Sequence, residues 1–325
     1  MTPVESIAKR SRPRAASRPG DGFELRRAAG VEFFSAHVLK SLPWLVHGFS
    51  TRKGGESRLG SERVLNLGFT DWDSREAVTR NRLKFAAAIG AAKMPLIALR
   101  QIHSDVAYVF PVSVSSNEPC RGDASITRQP ELLLGVQTAD CVPILLADAR
   151  RRIVAAVHAG WRGTLARIAA KALGRLRVEF GTRPEDVVAA LGPAIGRCCY
   201  EVGPEVALAF SGQFAQAGDW FDGPFERLSS GEEPNPLPWL TMMPPGHEPP
   251  PERVQLDLRA ANRWQLIDAG VKPRNIAVSA LCTRCRTDLF FSYRGERSES
   301  GVSHSGRMMS VIGIRAAAKP AKSAK

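Results

Sequence analysis

The architecture follows from three apolar runs separated by short polar breaks, Leu132-Leu-Leu-Gly-Val-Gln-Thr138, Val142-Pro-Ile-Leu-Leu146 and Ile153-Val-Ala-Ala-Val-His158. Each run has the length of a strand, and each is apolar with little alternation. Strands of this kind are covered by other layers on both faces. The runs therefore predict buried strands at the centre of a layered fold.

Further elements are predicted on both sides of this centre. We expect helices over 75–90, 165–176 and 257–270, with Thr164 capping the second and Gly90 and Gly270 ending the other two. Strands are expected over 31–34, 45–52, 96–103, 107–110 and 187–191, and 288–294 should form a hairpin with 307–314. A chain of 325 residues that is 44% hydrophobic can bury a large core, and we expect one domain over 31–314.

The net charge of +13 is concentrated at the two ends. Seven Lys/Arg against three acids give residues 1–30 a net charge of +4, and residues 315–325 carry another +4. Because both ends are poor in large apolar residues, we predict disordered basic tails over 1–30 and 315–325. The body is mildly basic and does not interleave basic and aromatic residues, which argues against a specific nucleic-acid partner.

No apolar run reaches the length of a membrane span, and no apolar stretch of a secretory signal follows the basic N-terminus. We therefore expect a cytoplasmic protein with no membrane partner; a transit peptide is the weaker alternative. Six cysteines are too sparse for a disulfide framework, so thiols or metal ligands are expected. The proline-rich residues 211–252 predict an insertion or lid.

Two histidines and one cysteine stand in unusual short motifs. Neutral imidazole and thiolate are ligands of zinc and copper, and three protein ligands leave one coordination position open. A single His or Cys near a strand end is usually structural, so the prediction of an enzymatic metal site rests on the three together. The motifs are Gln101-Ile-His103-Ser-Asp105, Thr138-Ala-Asp140-Cys141-Val-Pro143 and His158-Ala-Gly-Trp-Arg162-Gly163.

Two further patterns have both a functional and a structural interpretation. The glycine turn after His158 leads toward a predicted helix and could seat a phosphate, or Gly160 and Gly163 could simply permit a tight turn. Cys282-Thr-Arg-Cys285 has the spacing of a zinc or redox site that Cys198 and Cys199 could complete as a tetrathiolate. Packed thiols are the favoured interpretation of these cysteines.

Taken together, the motifs resemble the laccase-domain family, also described as multicopper polyphenol oxidase-like or purine nucleoside phosphorylase proteins. The family includes bacterial members described as peptidoglycan editing factors. The resemblance covers roughly residues 31–314, and the tails and residues 211–252 depart from it. Its further motifs are His47-Gly-Phe-Ser-Thr-Arg52, Leu65-Asn66-Leu-Gly68, Gly192-Pro-Ala-Ile-Gly, Cys199-Tyr-Glu-Val, Phe291-Ser-Tyr-Arg294 and Gly306-Arg307-Met308.

The resemblance implies a single α+β domain in which mixed β-sheets are sandwiched between helices, in α/β/β/α-like layers. It also implies that His103, Cys141 and His158 bind the metal, Zn²⁺ or alternatively Cu²⁺. The implied reactions are phosphorolysis of adenosine, inosine, guanosine and methylthioadenosine to base and (methylthio)ribose 1-phosphate, and deamination of adenosine. The partners are then a nucleoside and phosphate; the oligomeric state is left open.

Both reactions fit this ligand set. Zinc lowers the pKa of a bound water, which suits attack on C6 of adenine, although the His-x-Glu and Pro-Cys-x-x-Cys signature of zinc nucleobase deaminases is lacking. Phosphorolysis needs a cradle for anions. Arg52 and Arg162, both beside glycine loops, are the phosphate-binding candidates, and Arg294 is the reserve. Asn66 and Tyr293 could contact substrate, but a turn asparagine and a strand tyrosine also have common structural roles.

For proton transfer the candidate is Asp140, next to the catalytic Cys141. A carboxylate in this position could equally orient a ligand imidazole. Glu201 is the second choice.

Two other functions compete. A four-copper laccase needs a histidine-rich trinuclear cluster, and the chain has six histidines in all, which is too few; a mononuclear copper oxidase stays open. A role as an editing factor for cell-wall precursors ranks lower, since a pure binding module has no use for an open metal position.

Overall fold

The computed structural model describes residues 22–110, 120–223, 253–296 and 305–316. The strands are β1 (Phe23–Ala28), β2 (Val31–Ala36), β3 (Leu45–Ser50), β4 (Ser57–Leu59), β5 (Glu62–Val64), β6 (Leu96–Ala98), β7 (Ala107–Phe110), β8 (Ala124–Thr127), β9 (Leu133–Thr138), β10 (Val142–Asp148), β11 (Ile153–Ala159), β12 (Val187–Leu191), β13 (Glu201–Val202), β14 (Phe221–Asp222), β15 (Val254–Leu256), β16 (Ile276–Val278) and β17 (Met308–Ile314). The α-helices are α1 (His37–Lys40), α2 (Arg75–Ala88), α3 (Trp161–Leu165), α4 (Ile168–Phe180), α5 (Pro204–Gln213) and α6 (Leu258–Asp268). Short 3₁₀ turns lie at Pro184–Asp186, Ala217–Trp220 and Pro273–Asn275.

Two mixed six-stranded sheets form the body. The first has the order β1-β2-β3-β17-β9-β6, and the second has the order β16-β12-β10-β11-β8-β7. Strands β6 and β9, β7 and β8, and β12 and β16 pair in parallel, whereas the central pairs are antiparallel. Smaller sheets have the orders β13-β15-β14 and β4-β5.

Strands β10 and β11 are buried at every position, as the apolar runs predict. Along β10 the side chains alternate between two cores: Ile144 and Leu146 pack on the helical side, and Leu145 and Ala147 pack toward the other sheet. Because a strand repeats every two residues, a strand that is apolar throughout is one with a layer on each face.

The layers are helix, sheet, sheet and helix. Phe85 of α2 packs on the first sheet with Val46 and Val311. On the far side, Leu173 of α4 and Leu266 of α6 join the core that covers the second sheet. This confirms the expected α+β class with sheets between helices. Within the described residues, no helix is long and apolar enough to cross a membrane.

Several predicted boundaries were wrong. The tail predicted over residues 1–30 is too long, because Phe23–Ala28 pairs with β2 along its whole length. The expected strand over 96–103 ends at Ala98. The expected strand over 288–294 is a series of turns, in which the N–H of Phe290 donates to Arg286 O and that of Glu296 to Ser292 O. Strand β17 therefore forms no hairpin with it and lies instead between β3 and β9.

The helix predicted over 165–176 is two helices. Arg167 has a left-handed backbone (φ 62°), which separates α3 from α4. Thr164 is not a cap, because it lies inside α3 and Arg167 is the residue that precedes α4. Its hydroxyl oxygen accepts a hydrogen bond from Asn262 Nδ2 at 2.8 Å. Of the expected 211–252 insertion, residues 211–223 belong to the folded body; 224–252 lie outside the described residues, as do 1–21 and 317–325 of the predicted tails.

Candidate metal centre and its cavity

Three strand ends bring the predicted ligands together. His103 lies in the loop after β6, Cys141 immediately precedes β10, and His158 is the penultimate residue of β11, opposite Pro143. Their ligand atoms all lie within 4.8 Å of one another, and Cys141 Sγ is 3.9 Å from His103 Nε2. Zinc ligands in tetrahedral geometry lie roughly 3.3 to 3.8 Å apart, so small side-chain adjustments would let one ion bind all three.

Asp123 organises the centre without being one of these ligands. Its carboxylate lies 2.8 Å from His158 Nδ1, which leaves the other ring nitrogen, Nε2, for a metal. It also accepts hydrogen bonds from the N–H groups of Ile102, His103 and Ser104 and from the Ser104 hydroxyl. One buried carboxylate thus fixes one ligand ring and the backbone of another ligand.

The titrating groups of the centre favour a charged pair. Burial disfavours the imidazolium of His158, but Cys141 and Asp123 outweigh it and raise the pKa of His158 to about 9. Burial likewise opposes the thiolate, yet the two histidines lower the pKa of Cys141 to about 6. For Asp123, the cost of burial is overcome by His158 and Ser104, which lower the pKa to about 2. Cys141 is therefore poised as a thiolate, which is the form that binds metals.

Gly160 provides the space in which the ligands meet. A Cβ at this position would lie 2.9 Å from His103 Cδ2 and 3.0 Å from Cys141 Sγ. Its backbone is extended (φ −78°), so the requirement for glycine is one of space rather than of conformation. The ligand geometry thus depends on a residue without a side chain.

The three ligands open into a cavity of about 550 Å³. Cavities of this size suit small-molecule ligands. Four arginines, Arg100, Arg162, Arg294 and Arg307, supply positive charge. Aromatic rings come from Trp161, Tyr200 and Tyr293, and the remaining lining residues are Leu99, Gln101, Gln137, Thr138, Ala139 and Asp140. The cavity therefore combines a candidate metal centre with groups suited to an anion and to a planar ring.

Asp140 lies at the cavity wall but is engaged by three donors. Its Oδ1 accepts hydrogen bonds from the hydroxyls of Thr283 at 2.6 Å and Ser292 at 2.7 Å, and its Oδ2 accepts from the N–H of Arg294 at 2.7 Å. Burial is the largest influence on this carboxyl and raises its pKa, although all three hydrogen bonds act in the opposite direction. Asp140 thus ties residues 283–294 to the turn that carries Cys141.

Two predicted phosphate or substrate residues do not line the cavity. Arg52 is buried, with Nη1 2.6 Å from Glu296 Oε1 and its guanidinium stacked on Phe291. Asn66 is completely buried and holds a turn, with hydrogen bonds to the main chain of Gly68 and Arg307. These contacts give both residues structural roles.

Of the other predicted residues, two arginines line the cavity and Glu201 does not. Arg162 and Arg294 lie in the cavity wall, where Arg162 stacks on Trp161 and Arg294 on Tyr200. Glu201 is not among the lining residues and pairs with Arg253 at 2.5 Å.

No role was predicted from the sequence for Asp123, Arg100, Tyr200 or Arg307. Asp123 directly precedes the strand-forming Ala124-Ser-Ile-Thr127, and a carboxylate at a strand end was an available signal. Arg100 adjoins the Gln101-Ile-His103 motif, while Tyr200 and Arg307 lie inside quoted motifs. Local sequence could not show that these side chains share one cavity.

The chain is similar to known proteins. A family model described as multi-copper polyphenol oxidoreductase laccase matches residues 46–315. A Deinococcus radiodurans protein named purine nucleoside phosphorylase is 37% identical over 269 residues, which is 82% of this chain and 88% of that protein. A protein from an unknown prokaryotic organism named adenosine deaminase RL5 is 34% identical over 268 residues, 80% of this chain and 93% of that protein.

Solved structures show the same likeness. The crystal structure of the Bacillus licheniformis hypothetical protein YfiH matches with a TM-score of 0.71 at 29% identity, covering 90% of this chain and 99% of that one. The residues matched by the family model include all three ligands and every residue that lines the cavity.

Proposed function

We propose that this chain, which belongs to the multi-copper polyphenol oxidoreductase laccase family, is a metal-dependent enzyme acting on purine nucleosides. The proposed reactions are phosphorolysis of adenosine, inosine, guanosine or methylthioadenosine, and deamination of adenosine. The observation that carries the proposal is the convergence of two imidazoles and a thiolate on a cavity lined by four arginines. The names of the relatives support the same substrate class.

His103, Cys141 and His158 would hold the metal, with zinc as the proposed ion and copper as the alternative. A zinc ion bound there would supply a Lewis acid with a coordination position left for substrate or water. Asp123 keeps His158 in the tautomer that presents Nε2 to the cavity. Gly160 keeps the space between the ligands free.

The arginines of the cavity are proposed to bind phosphate. Guanidinium groups donate paired hydrogen bonds that match phosphate oxygens. Arg162 and Arg294 keep the roles predicted from the sequence, and Arg100 and Arg307 replace Arg52, whose charge is already paired with Glu296. They would neutralise the phosphate and the charge that develops as the glycosidic bond breaks.

The aromatic side chains are proposed to bind the purine. Tyr200 and Tyr293 line the same cavity as the metal ligands, and a purine ring can stack on such side chains. The Tyr200 hydroxyl stays protonated at neutral pH, because burial raises its pKa further above the ordinary value. It can therefore donate a hydrogen bond to a ring nitrogen or to the ribose.

We assign Asp140 a positioning role. Its carboxylate already accepts three hydrogen bonds, all of them from the loop that carries Ser292 and Arg294. In this role it keeps the N–H of Arg294, and with it the guanidinium, at the cavity wall.

A nucleoside panel incubated with and without phosphate, followed by chromatography, tests the function. We expect base and a sugar 1-phosphate only when phosphate is present, and inosine from adenosine in either case. Cys141→Ala and His103→Ala should each abolish turnover while the protein stays folded. Cys120→Ala is the matched control, since this half-buried cysteine lies outside the centre. Full turnover by a folded, metal-free variant would overturn the proposal.

A further inference from the structure

Four cysteines converge at a second place in the fold. Cys198 and Cys199 lie in the loop between β12 and β13, and Cys282 and Cys285 lie in the loop that follows β16. Their four Sγ atoms all lie within 4.8 Å of one another. We propose that they form a second metal site, a structural zinc site with four thiolate ligands, separate from the His/Cys/His centre.

The sulfur geometry suits one ion. Cys285 Sγ is 3.4 Å from Cys199 Sγ and 3.6 Å from Cys198 Sγ. In a tetrahedral zinc site with bonds of about 2.3 Å, neighbouring sulfurs are roughly 3.8 Å apart. A disulfide requires about 2.0 Å, and all four cysteines are free thiols. The spacing is that of ligands around a shared cation.

The surroundings suit a thiolate site. The N–H of Gly196 points at Cys282 Sγ, 3.2 Å away, which is the kind of hydrogen bond that stabilises a metal-bound sulfur. A Cβ at Gly196 would lie 3.0 Å from Arg259 Nη2 and 3.2 Å from Cys198 Sγ, so a guanidinium stands beside the cluster. Four thiolates and Zn²⁺ carry a net charge of −2, which this cation offsets in part.

The burial of the four cysteines indicates a site that is partly enclosed and accessible to an ion from solvent. Cys199 and Cys282 are buried, whereas Cys198 and Cys285 are exposed, so an ion can enter from the surface. Four protein ligands fill the coordination sphere of zinc and leave no position for a substrate. The site is therefore structural, and binding would release the thiol protons to solvent.

The two loops that the ion would join also shape the catalytic cavity. The N–H of Thr283 donates to Ala194 O, and the N–H of Ile195 donates to Asp140 O. Arg284 donates to Cys199 O at 3.3 Å, and Tyr200 lines the cavity. An ion held by Cys199 and Cys282 would thus fix the loop bearing Tyr200 against the loop bearing Thr283.

The proposal is tested by the number of zinc ions per chain, measured by native mass spectrometry and elemental analysis. The protein is the whole 325-residue chain, purified with a reductant. We expect two zinc ions per chain in the unchanged protein and in Cys120→Ser, and one in Cys285→Ser. The double variant His103→Ala/Cys141→Ala should also keep one. Two ions in Cys285→Ser, or none in the folded double variant, would overturn the second site.

Cobalt substitution of the double variant gives a result that does not require Cys285→Ser to fold. We expect the intense sulfur-to-cobalt charge-transfer and visible bands of a tetrahedral tetrathiolate. Bands of octahedral cobalt with oxygen ligands would overturn the proposal. Because the double variant lacks the catalytic ligands, the result is independent of the nucleoside chemistry proposed above.

Discussion

Asp123 connects two of the three candidate ligands, because its carboxylate contacts the ring of His158 and the backbone of His103. We predict that Asp123→Asn weakens zinc binding about 10- to 100-fold, since the amide can no longer hold the His158 tautomer and the His103 loop as the carboxylate does. Competition against a chelator of known affinity measures this loss.

Asp105→Asn is the control for that substitution. Asp105 lies in the same loop, but it is only half-buried and pairs with the exposed Lys171. Exposed ion pairs contribute little, so zinc affinity should be unchanged. Equal losses in the two variants would show that the loop, rather than the carboxylate of Asp123, sets the affinity.

Gly160→Ala tests the space between the ligands. The φ of −78° is accessible to alanine, so we predict a folded protein whose zinc affinity falls, because the new methyl group lies within 3.0 Å of Cys141 Sγ. Calorimetric titration with zinc, together with a melting curve of the metal-free protein, separates the two effects. Unchanged zinc affinity would mean that the ligands move aside at no cost.

At the scale of elements, helix α4 contains a glycine that has free space for a side chain, unlike Gly160. Gly174 lies within α4, and a Cβ there meets no atom within 4 Å. Gly174→Ala should therefore raise the free energy of unfolding by about 0.5 to 1 kcal/mol, because glycine disfavours the helix by that amount. Urea denaturation checks this, and a decrease in stability would show that the helix is strained by the added methyl group.

Strand β3 carries a histidine that makes the stability depend on pH. His47 is buried, and its Nε2 accepts the N–H of Ala36 at 3.0 Å. Burial lowers the pKa of His47 to about 4. Between about pH 6.5 and about pH 4, His47 is therefore protonated in the unfolded chain but not in the folded protein. The free energy of unfolding falls as the pH falls through that range, by about 3 kcal/mol at most.

His47→Gln removes this titration while it keeps a hydrogen-bond acceptor. We predict that the stability difference between the two proteins, from urea denaturation at a series of pH values, shrinks as the pH falls from 6.5 to 4. Parallel pH profiles would show that His47 does not titrate with a lowered pKa.

The same scale shows what periodicity could and could not predict. Strands β10 and β11 were predictable because a strand-length run that is apolar throughout is typical of a strand covered on both faces. The break between α3 and α4 was not, since Arg167 adopts a left-handed backbone that its residue type does not announce. The strand predicted over 288–294 failed because Phe290 and Phe291 are buried by tertiary contacts of a turn rather than by a sheet.

At the scale of the whole molecule, the candidate ligands could be chosen from the sequence because three unusual motifs occur together, whereas a single His or Cys would have a structural interpretation. The rest of the cavity depends on topology. Arg100 follows β6, whereas Arg307 precedes β17, and both line the cavity because the first sheet places both strands beside β9. The error over Arg52 has the same origin, since its partner Glu296 is distant in sequence.

Strand β17 is the last element of the described chain and yet is central to the first sheet. It pairs with β3 on one side and β9 on the other, so it joins the N-terminal strands to the half of the sheet that carries β6. All seven of its residues are buried. Without it, β3 and β9 would each expose a row of unpaired backbone groups. The core between the sheets would lose Ile312, and the core under α2 would lose Val311.

We therefore predict that a chain ending at Gly306 does not fold, whereas a chain ending at Ala316, which loses nine residues of the basic tail, unfolds at the temperature of the full-length protein. Circular dichroism during thermal unfolding checks both. The shorter chain should lack a cooperative transition, because the removed strand supplies contacts on both of its edges and both of its faces. A cooperative transition in that chain would show that β3 and β9 can close the sheet without β17.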